Sequence, residues 1–354
     1  MADGVIWILL DSSGVGGIET HVTNLASALR QRSINTQIVM LKDHGAHPLM
    51  NAWEKAGIPI QIIHGGFNGL IKSLRTEKPN LVHTHGYKAG ILGRCLCKLF
   101  NIPVVSTYHA GEPGAGRVRM YNSIDLMTGF LADNIAVSPQ IAKRLNTSCN
   151  VISNFVVVPQ NLTSSGNKIA FAGRLSHEKG PDRFIKLAHK IPQCQFDIYG
   201  DGPLRTELEA HSPGNIKYHG SVPSMEPYWN KIGLLCITSR YEGLPLVALE
   251  AMSYGVPVAA FNVGALNEVI DADRNGYIVP ENDLSGMIEK VRIWNGLCHT
   301  RREEMSTLAR ARIQEKYSTK AVIPEIIRIY DKAFERLVPM MDSSSATEHL
   351  CGLQ

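Results

Sequence analysis

The sequence lacks any apolar run close to the ~20 residues that a transmembrane helix requires. Its first apolar stretch, residues 5–10, lies between Asp3 and Asp11, and it is too short and too acidic at its flanks for a signal peptide. The seven cysteines are odd in number and scattered, and Cys95 and Cys97 lack C-x-x-C spacing. We therefore expect a cytoplasmic protein with reduced thiols and no zinc-binding cysteine motif.

Strong charge of one sign is also absent, since the formal net charge is +4. Residues 1–160 hold 14 Lys and Arg against 9 Asp and Glu, and the remainder holds 22 against 23. No basic run with interleaved aromatic residues occurs, so a nucleic-acid partner is not expected. The modestly basic N-terminal half suits contact with an anionic membrane surface or acceptor, although ordinary surface charge explains it equally well.

The 354 residues suffice for two domains, and an α/β pattern begins twice. Residues 5–10 read as a strand and 19–32 as an amphipathic helix, and the pattern restarts with a strand at 168–172. The polar segment 160–167, QNLTSSGN, is the best linker between them. Such alternation predicts two doubly wound parallel sheets.

Two carboxylates bracket a short predicted helix within residues 239–264, SRYEGLPLVALEAMSYGVPVAAFNVG. Glu242 precedes the helix, Pro245 suits its first turn, and Glu250 lies within its apolar run. A helix N-terminus that faces a crevice favours an anion. A glutamate in an apolar run either occupies a solvated helix face, which is the commoner case, or binds a ligand.

Other motifs offer competing chemistries. In GRLSHEKG, Arg174 and Lys179 straddle a turn before a helix and suit a diphosphate, although loop cations are often simply solvated. The Gly-rich loop after the first strand lacks the third glycine of a dinucleotide-binding fingerprint, which disfavours NAD. Asp271 and Asp273 form a D-x-D pair, but IDADRNGYIV reads as a turn and not as a metal site.

These motifs together resemble the retaining glycosyltransferases of family 4. The matching features are Glu242-Gly-Leu-Pro with Glu250 seven intervening residues on, the following Gly255-Val-Pro-Val, and GRLSHEKG. The resemblance covers about residues 4–335. It implies a GT-B fold, in which two Rossmann-like domains face each other across a cleft.

The resemblance also implies roles for individual residues. Glu242 would contact the donor sugar, and His109, after a predicted strand at 104–107, would lie near the reaction centre. Residues 112–119 would form an acceptor loop, with His83 and His85 as weaker acceptor-side candidates. Eight further residues would bind the donor: Gly16, Gly17, Arg174, Lys179, Gly202, Val222, Leu246 and Glu250. Among these, the two cations would hold the pyrophosphate, Val222 the base through its backbone, and Glu250 the ribose.

The implied activity is transfer of a sugar from a UDP- or GDP-sugar, with retention and without metal or further cofactor. The acceptor would be a hydroxyl of a glycan, lipopolysaccharide, exopolysaccharide or glycolipid, at the inner face of a membrane. A nucleotide-sugar epimerase of the same fold and a catalytically silent binding subunit are the alternatives.

The expected organisation has four parts. Residues 1–160 would form the acceptor-side domain and 161–320 the nucleotide-sugar domain. Residues 321–337 would form a helix that packs back on the first domain, and 338–354 a disordered tail.

Overall fold

The computed structural model describes residues 4–109, 116–160 and 166–336. The described residues form two compact units, one comprising 4–153 with 322–336 and the other comprising 154–321. The predicted tail and most of the predicted linker, residues 161–165, lie outside the described residues.

The first unit is a parallel sheet flanked by helices. Its strands are β1 (Ile6–Leu10), β2 (Thr36–Met40), β3 (Ile60–Ile62), β4 (Leu81–His85), β5 (Val104–Tyr108), β6 (Asp133–Ala136) and β7 (Cys149–Val151). Its helices are α1 (Gly17–Arg30), α2 (Met50–Lys55), α3 (Gly66–Glu77), α4 (Tyr87–Leu99), α5 (Gly116–Met127) and α6 (Pro139–Ala142). The strand order is β3-β2-β1-β4-β5-β6-β7. All five residues of β1 are buried, as expected for a strand covered on both faces.

The second unit repeats this plan. Its strands are β8 (Lys168–Ala172), β9 (Phe196–Tyr199), β10 (Ile216–Gly220), β11 (Ile232–Ile237), β12 (Val258–Phe261) and β13 (Gly276–Val279). Its helices are α7 (Pro181–Lys190), α8 (Arg205–Ala210), α9 (Glu226–Trp229), α10 (Leu246–Ser253), α11 (Leu266–Val269), α12 (Leu284–Gly296) and α13 (His299–Lys316). The parallel strands follow the order β10-β9-β8-β11-β12-β13, so each sheet reverses its winding direction once. The predicted Rossmann-like α/β class is confirmed.

The last helix, α14 (Thr319–Glu335), returns the chain to the first unit. Tyr330 is fully buried there, and its hydroxyl lies 2.7 Å from Nδ1 of His83 on β4. Arg336, just after the helix, forms a 2.7 Å ion pair with Asp133. No helix of the described chain has the length and apolar character needed to cross a membrane.

Two local predictions are wrong. Residues 116–119, expected to lie in a loop, begin α5, and the rest of that predicted loop, residues 112–115, lies outside the described residues. A tertiary contact explains the helix, because the buried guanidinium of Arg94 donates to the carbonyl of Asp125 at 2.9 Å and to its Oδ1 at 2.5 Å. Pro245 is the N-cap of α10 and not part of its first turn.

Glycines allow two loops of the second unit to touch through their backbones. Gly173 and Gly200 follow β8 and β9, and a Cβ on Gly200 would lie 1.9 Å from the carbonyl oxygen of Gly173. Gly200 also has a φ of +133°, which L side chains rarely adopt. A Cβ on Gly202 would lie 2.5 Å from the carbonyl oxygen of Leu175. The loop after β8 is therefore held against the loop after β9 by main-chain contacts.

We expect Gly200→Ala to destabilise the protein by about 2–4 kcal/mol, because both the backbone conformation and the contact with Gly173 forbid a side chain. Gly214→Ala is the matched control, since a Cβ there meets no described atom within 4 Å. The measurement is chemical denaturation of both variants and the wild type. Equal midpoints for the two variants would contradict this account of the loops.

Candidate functional site

The best candidate site of the second unit lies where its sheet changes direction. Strands β8 and β11 are parallel neighbours, and their onward connections run to opposite sides of the sheet. In sheets of this order, ligands bind outside the carboxyl ends of the strands at this switch point. The loop after β8 carries Arg174 and Lys179, and the loop after β11 carries Glu242. The fold thus brings these three predicted residues to one edge of one sheet.

An ion pair joins the two loops. Nζ of Lys179 lies 2.8 Å from Oε1 and 2.9 Å from Oε2 of Glu242. The hydroxyl of Ser239 donates to the same Oε1 at 2.6 Å. Only 8% of the Glu242 side chain is exposed, against 33% for Lys179, so the lysine is the partner that retains access to a ligand. The sequence placed both residues in the donor site but did not predict that they pair.

Arg174 is the exposed cation of this edge. Among the described residues its guanidinium makes no hydrogen bond or ion pair, whereas Arg240 nearby is held by Asp182 at 2.9 and 2.8 Å. All five N–H donors of Arg174 are therefore available for an anion, and a guanidinium can grip phosphate oxygens by two parallel bonds.

Glu250 lies at the start of the second turn of α10, and its environment differs from that of Glu242. Its side chain keeps some exposed surface, but protein atoms surround the carboxyl group closely and burial raises its pKa to about 7. No described residue donates a hydrogen bond to this carboxyl group. A carboxylate in such a place gains from neutral donors such as hydroxyl groups, which favour its charged form without adding charge.

Helix α10 begins with Pro245 as its N-cap, and no side chain caps it, so its first N–H groups are open to a ligand. The side chain of Leu246 itself is buried in the hydrophobic core, so its contribution to a ligand would be its backbone N–H. The amide of Asn154 donates to the carbonyl of Leu244 at 2.7 Å and ties down the loop that precedes this helix.

The two remaining donor-binding predictions for this unit fall beside the switch point. Gly202 packs against the loop after β8, where its lack of a side chain allows the backbone of Leu175 to approach closely. Val222 is half-buried and packs against the hydrophobic core, which leaves its backbone as the group that could contact a base. The donor-binding roles of Gly202 and Val222 stay predictions.

The sequence analysis missed two residues that position the site. Arg240 follows β11, donates to the carbonyl of His177 at 2.7 Å and pairs with Asp182, so it links the loop of Glu242 to that of Lys179. Asn154 lies in the segment that enters the second unit. Their partners are 58 and 90 residues away, so neither periodicity nor motif spacing could have found them.

The predicted D-x-D turn is confirmed. Asp273 lies in a turn with a φ of +63°. Asp271 pairs with Arg274 at 2.8 Å, and Asp273 pairs with Lys290 at 2.7 Å. Each carboxylate thus already has a cationic partner.

In the first unit, the predicted glycines lie at the start of α1. Gly16 is the N-cap of this helix and Gly17 its first residue, and both are exposed. No side chain caps the helix, so backbone N–H groups point outward there. This arrangement suits the close approach of an anionic group.

His109 follows β5 and lies among other histidines. Its Nε2 is 3.0 Å from Nδ1 of His85, and its ring centroid is 4.6 Å from that of His21. Burial, with His21 and His83 nearby, holds the pKa of His109 well below its usual range, so the imidazole is neutral at pH 7. His85 and His109 line a cavity of 280 Å³ together with Glu19.

Comparison with known proteins identifies both halves of the chain. Residues 15–160 match the family model Glycosyltransferase Family 4, and residues 166–294 match the model Glycosyl transferases group 1. The chain is 24% identical to an uncharacterized 41.2 kDa protein of the cps region of Klebsiella pneumoniae, over 89% of this chain and 96% of that protein. It is also 24% identical to an Escherichia coli UDP-Gal:alpha-D-GlcNAc-diphosphoundecaprenol alpha-1,3-galactosyltransferase, over 62% of this chain and 67% of that protein.

A solved structure shares the fold. HepE of Anabaena in complex with UDP superposes with a TM-score of 0.81 at 16% identity, covering 93% of this chain and 100% of HepE. The predicted GT-B class, with its two Rossmann-like domains, is confirmed. Because the two family matches together span most of the chain, this protein belongs to glycosyltransferase family 4, the group 1 glycosyl transferases.

Proposed function

We propose that this glycosyltransferase moves a sugar from a nucleotide-diphosphate sugar to a hydroxyl of a glycan or glycolipid acceptor, with retained configuration. The observation that carries the proposal is the meeting of Arg174, Lys179 and Glu242 at the switch point of the second sheet. These residues supply two cations for a diphosphate beside a carboxylate that can accept sugar hydroxyls. No cofactor other than the nucleotide-sugar co-substrate is needed.

The difficult step is departure of the nucleoside diphosphate. Arg174, Lys179 and the uncapped N–H groups at the start of α10 would stabilise the charge that develops on the leaving phosphate, and no metal ion is required. Glu242 would orient the donor sugar, Glu250 would accept from the ribose hydroxyls, and His109 keeps its predicted catalytic role in the first unit. Gly16 and Gly17 would admit the donor to the start of α1.

The donor and acceptor classes draw support from relatives. HepE has been crystallised with UDP and with UDP-glucose, and the E. coli relative is named for a UDP-galactose donor and a lipid-linked GlcNAc acceptor. On these grounds we favour a UDP-sugar over a GDP-sugar. The first unit of this chain offers a second cavity of 670 Å³, whose lining combines apolar residues such as Leu41, Ile63 and Phe67 with charged ones such as Asp43 and Lys88. Such a lining suits an acceptor that has an apolar part.

We also propose that the protein is cytoplasmic and contacts the inner face of a membrane. Helix α5 exposes Arg117 and Arg119. It also exposes large apolar side chains, which include Val118, Met120 and Met127, the last with 74% of its surface accessible. Basic and apolar groups on one exposed helix are typical of an interfacial segment.

Removal of either donor-site cation should weaken nucleotide binding. We expect Lys179→Ala and Arg174→Ala each to reduce the affinity for UDP by about 1.5–3 kcal/mol, as for a lost hydrogen bond to a charged group. Lys186→Ala, an exposed lysine of the neighbouring helix α7, is the control and should bind as the wild type does. Calorimetric titration is the measurement. Unchanged affinity in both site variants would show that the diphosphate binds elsewhere.

The two glutamates should affect different kinetic constants. Glu242→Gln should mainly lower kcat, because charge develops at the sugar in the transition state. Glu250→Gln should mainly raise the donor KM, because ribose contacts are equal in the ground and transition states. Since the folded pKa of Glu250 is about 7, and hydroxyl donors favour the ionised form, wild-type donor affinity should rise with pH through neutrality. This rise should be absent in Glu250→Gln.

The assay for both variants is sugar transfer, with nucleotide binding measured separately and Glu226→Gln, an exposed glutamate, as the control. A wild-type kcat in Glu242→Gln would show that Glu242 does not lie at the reaction centre. Turnover of the nucleotide-sugar without any acceptor would favour the epimerase alternative, and binding without transfer to any hydroxyl would favour a silent subunit.

Sugar transfer should not depend on a divalent metal ion. We expect the transfer rate of the metal-free protein to be unchanged by EDTA, because the leaving phosphate is stabilised by side-chain cations and helix N–H groups. The measurement is the initial rate with and without chelator, followed by addition of Mg²⁺ or Mn²⁺. A rate that is abolished by EDTA and restored by either ion would contradict the proposed mechanism.

A further inference from the structure

Three histidines from different elements of the first unit converge on one point. His21 lies on α1, His85 ends β4, and His109 follows β5. One ring nitrogen from each lies within 4.8 Å of the other two. The ring centroid of His21 lies 5.3 Å from that of His85 and 4.6 Å from that of His109. This cluster, which we call the histidine triad, is the sole group of metal-ligating residues with this geometry in the described part of the chain.

The neighbouring His83 does not belong to the triad. Its Nδ1 lies 2.7 Å from the hydroxyl of Tyr330, and its Nε2 lies 2.7 Å from Oγ1 of Thr107. Both of its nitrogens are therefore occupied by hydroxyl partners, and its role is to join β4, β5 and α14. His83 thus shows how a buried histidine of this unit forms its hydrogen bonds when its function is structural.

His85 is not satisfied in this way. It is 1% exposed, and its Nδ1 lies 3.0 Å from Nε2 of His109. Its Nε2 is buried and makes no hydrogen bond to the described residues. Unlike His83, His85 therefore has a buried ring nitrogen that no described residue satisfies, and a buried polar atom without a partner costs free energy.

From this geometry we infer that the histidine triad binds a zinc ion. Neutral imidazoles are preferred ligands of zinc, and three histidines with an open fourth position form a known type of zinc site. Zinc–nitrogen distances of about 2.0–2.1 Å place tetrahedral ligand nitrogens about 3.3–3.4 Å apart, so the triad needs to contract by less than about 1.5 Å. Rotation of the imidazoles supplies this movement, and the hydrogen bond between His85 and His109 is exchanged for two coordinate bonds.

The site lies on the wall of the 280 Å³ cavity, so water can occupy the fourth position and zinc has a path of entry. Glu19 lines the same cavity and adds negative charge that favours a cation. The site differs from the donor site in its ligands and in its unit. Its expected effect rests on the proposed function, because zinc on His109 occupies a residue assigned to the reaction centre. Zinc should therefore inhibit sugar transfer.

The primary test measures metal binding and needs neither donor nor acceptor. The full chain, freed of metal by chelator and dialysis, is titrated with Co²⁺, whose visible absorption is intense in tetrahedral sites, and Zn²⁺ is then added to displace it. We expect one Co²⁺ per chain and a loss of affinity of at least about tenfold in His21→Gln and in His109→Gln. His47→Gln is the matched control, because His47 is a buried histidine of the same unit outside the triad.

The outcomes separate this inference from the proposed function. Absence of a tetrahedral Co²⁺ spectrum in the wild type, or equal affinity in His109→Gln and His47→Gln, would overturn the zinc site even if His21→Gln fails to fold. Tight Co²⁺ binding by a chain that transfers no sugar would support the zinc site and contradict the proposed function. In an active chain, zinc should lower the wild-type rate reversibly, and EDTA should restore it. Zinc bound at the triad without any effect on the rate would contradict the inhibitory role.

Discussion

The ion pair between Lys179 and Glu242 is the contact on which the organisation of the second unit's site depends. It links the loops after β8 and β11, and Ser239 completes the environment of the carboxylate. Arg174 adds an exposed guanidinium to the same edge of the sheet. A diphosphate bound there, as proposed, would meet one exposed guanidinium and one lysine that is already oriented. Pre-orientation of this kind lowers the entropy that ligand binding must overcome.

Close main-chain packing makes this ion pair possible. Gly173, Gly200 and Gly202 let the loops after β8 and β9 approach to distances that a Cβ would forbid. Gly180 does the same between the loops after β8 and β11, because a Cβ there would lie 2.2 Å from the carbonyl oxygen of Thr238. The loops are thus rigid where they carry charged side chains, which suits catalysis by electrostatic stabilisation of a leaving group.

The first unit uses the same sheet order with different chemistry at its edge. Where the second unit presents cations and carboxylates, the first presents neutral imidazoles beside an uncapped helix. Burial keeps the pKa of His85 and His109 well below their usual range, so these rings act as hydrogen-bonding groups or metal ligands and not as cations. Hydroxyl partners such as Tyr330 satisfy His83, whereas His85 retains a nitrogen that no described residue contacts by a hydrogen bond. That difference distinguishes a structural histidine from a candidate ligand.

The sequence by itself determined the α/β class, the strands and helices next to the motifs, and the positions of the motifs assigned to the donor site. Apolar periodicity and motif spacing are local properties of the chain, so both are visible without a structure. Lys179 pairs with Glu242, and His21 meets His109, through contacts between residues that are distant along the chain. The raised pKa of Glu250 likewise follows from its burial in the folded protein. Helix α5 likewise depends on a buried arginine from another helix. Only the tertiary structure decided these features, because separation along the chain carries no information about which strand ends become neighbours.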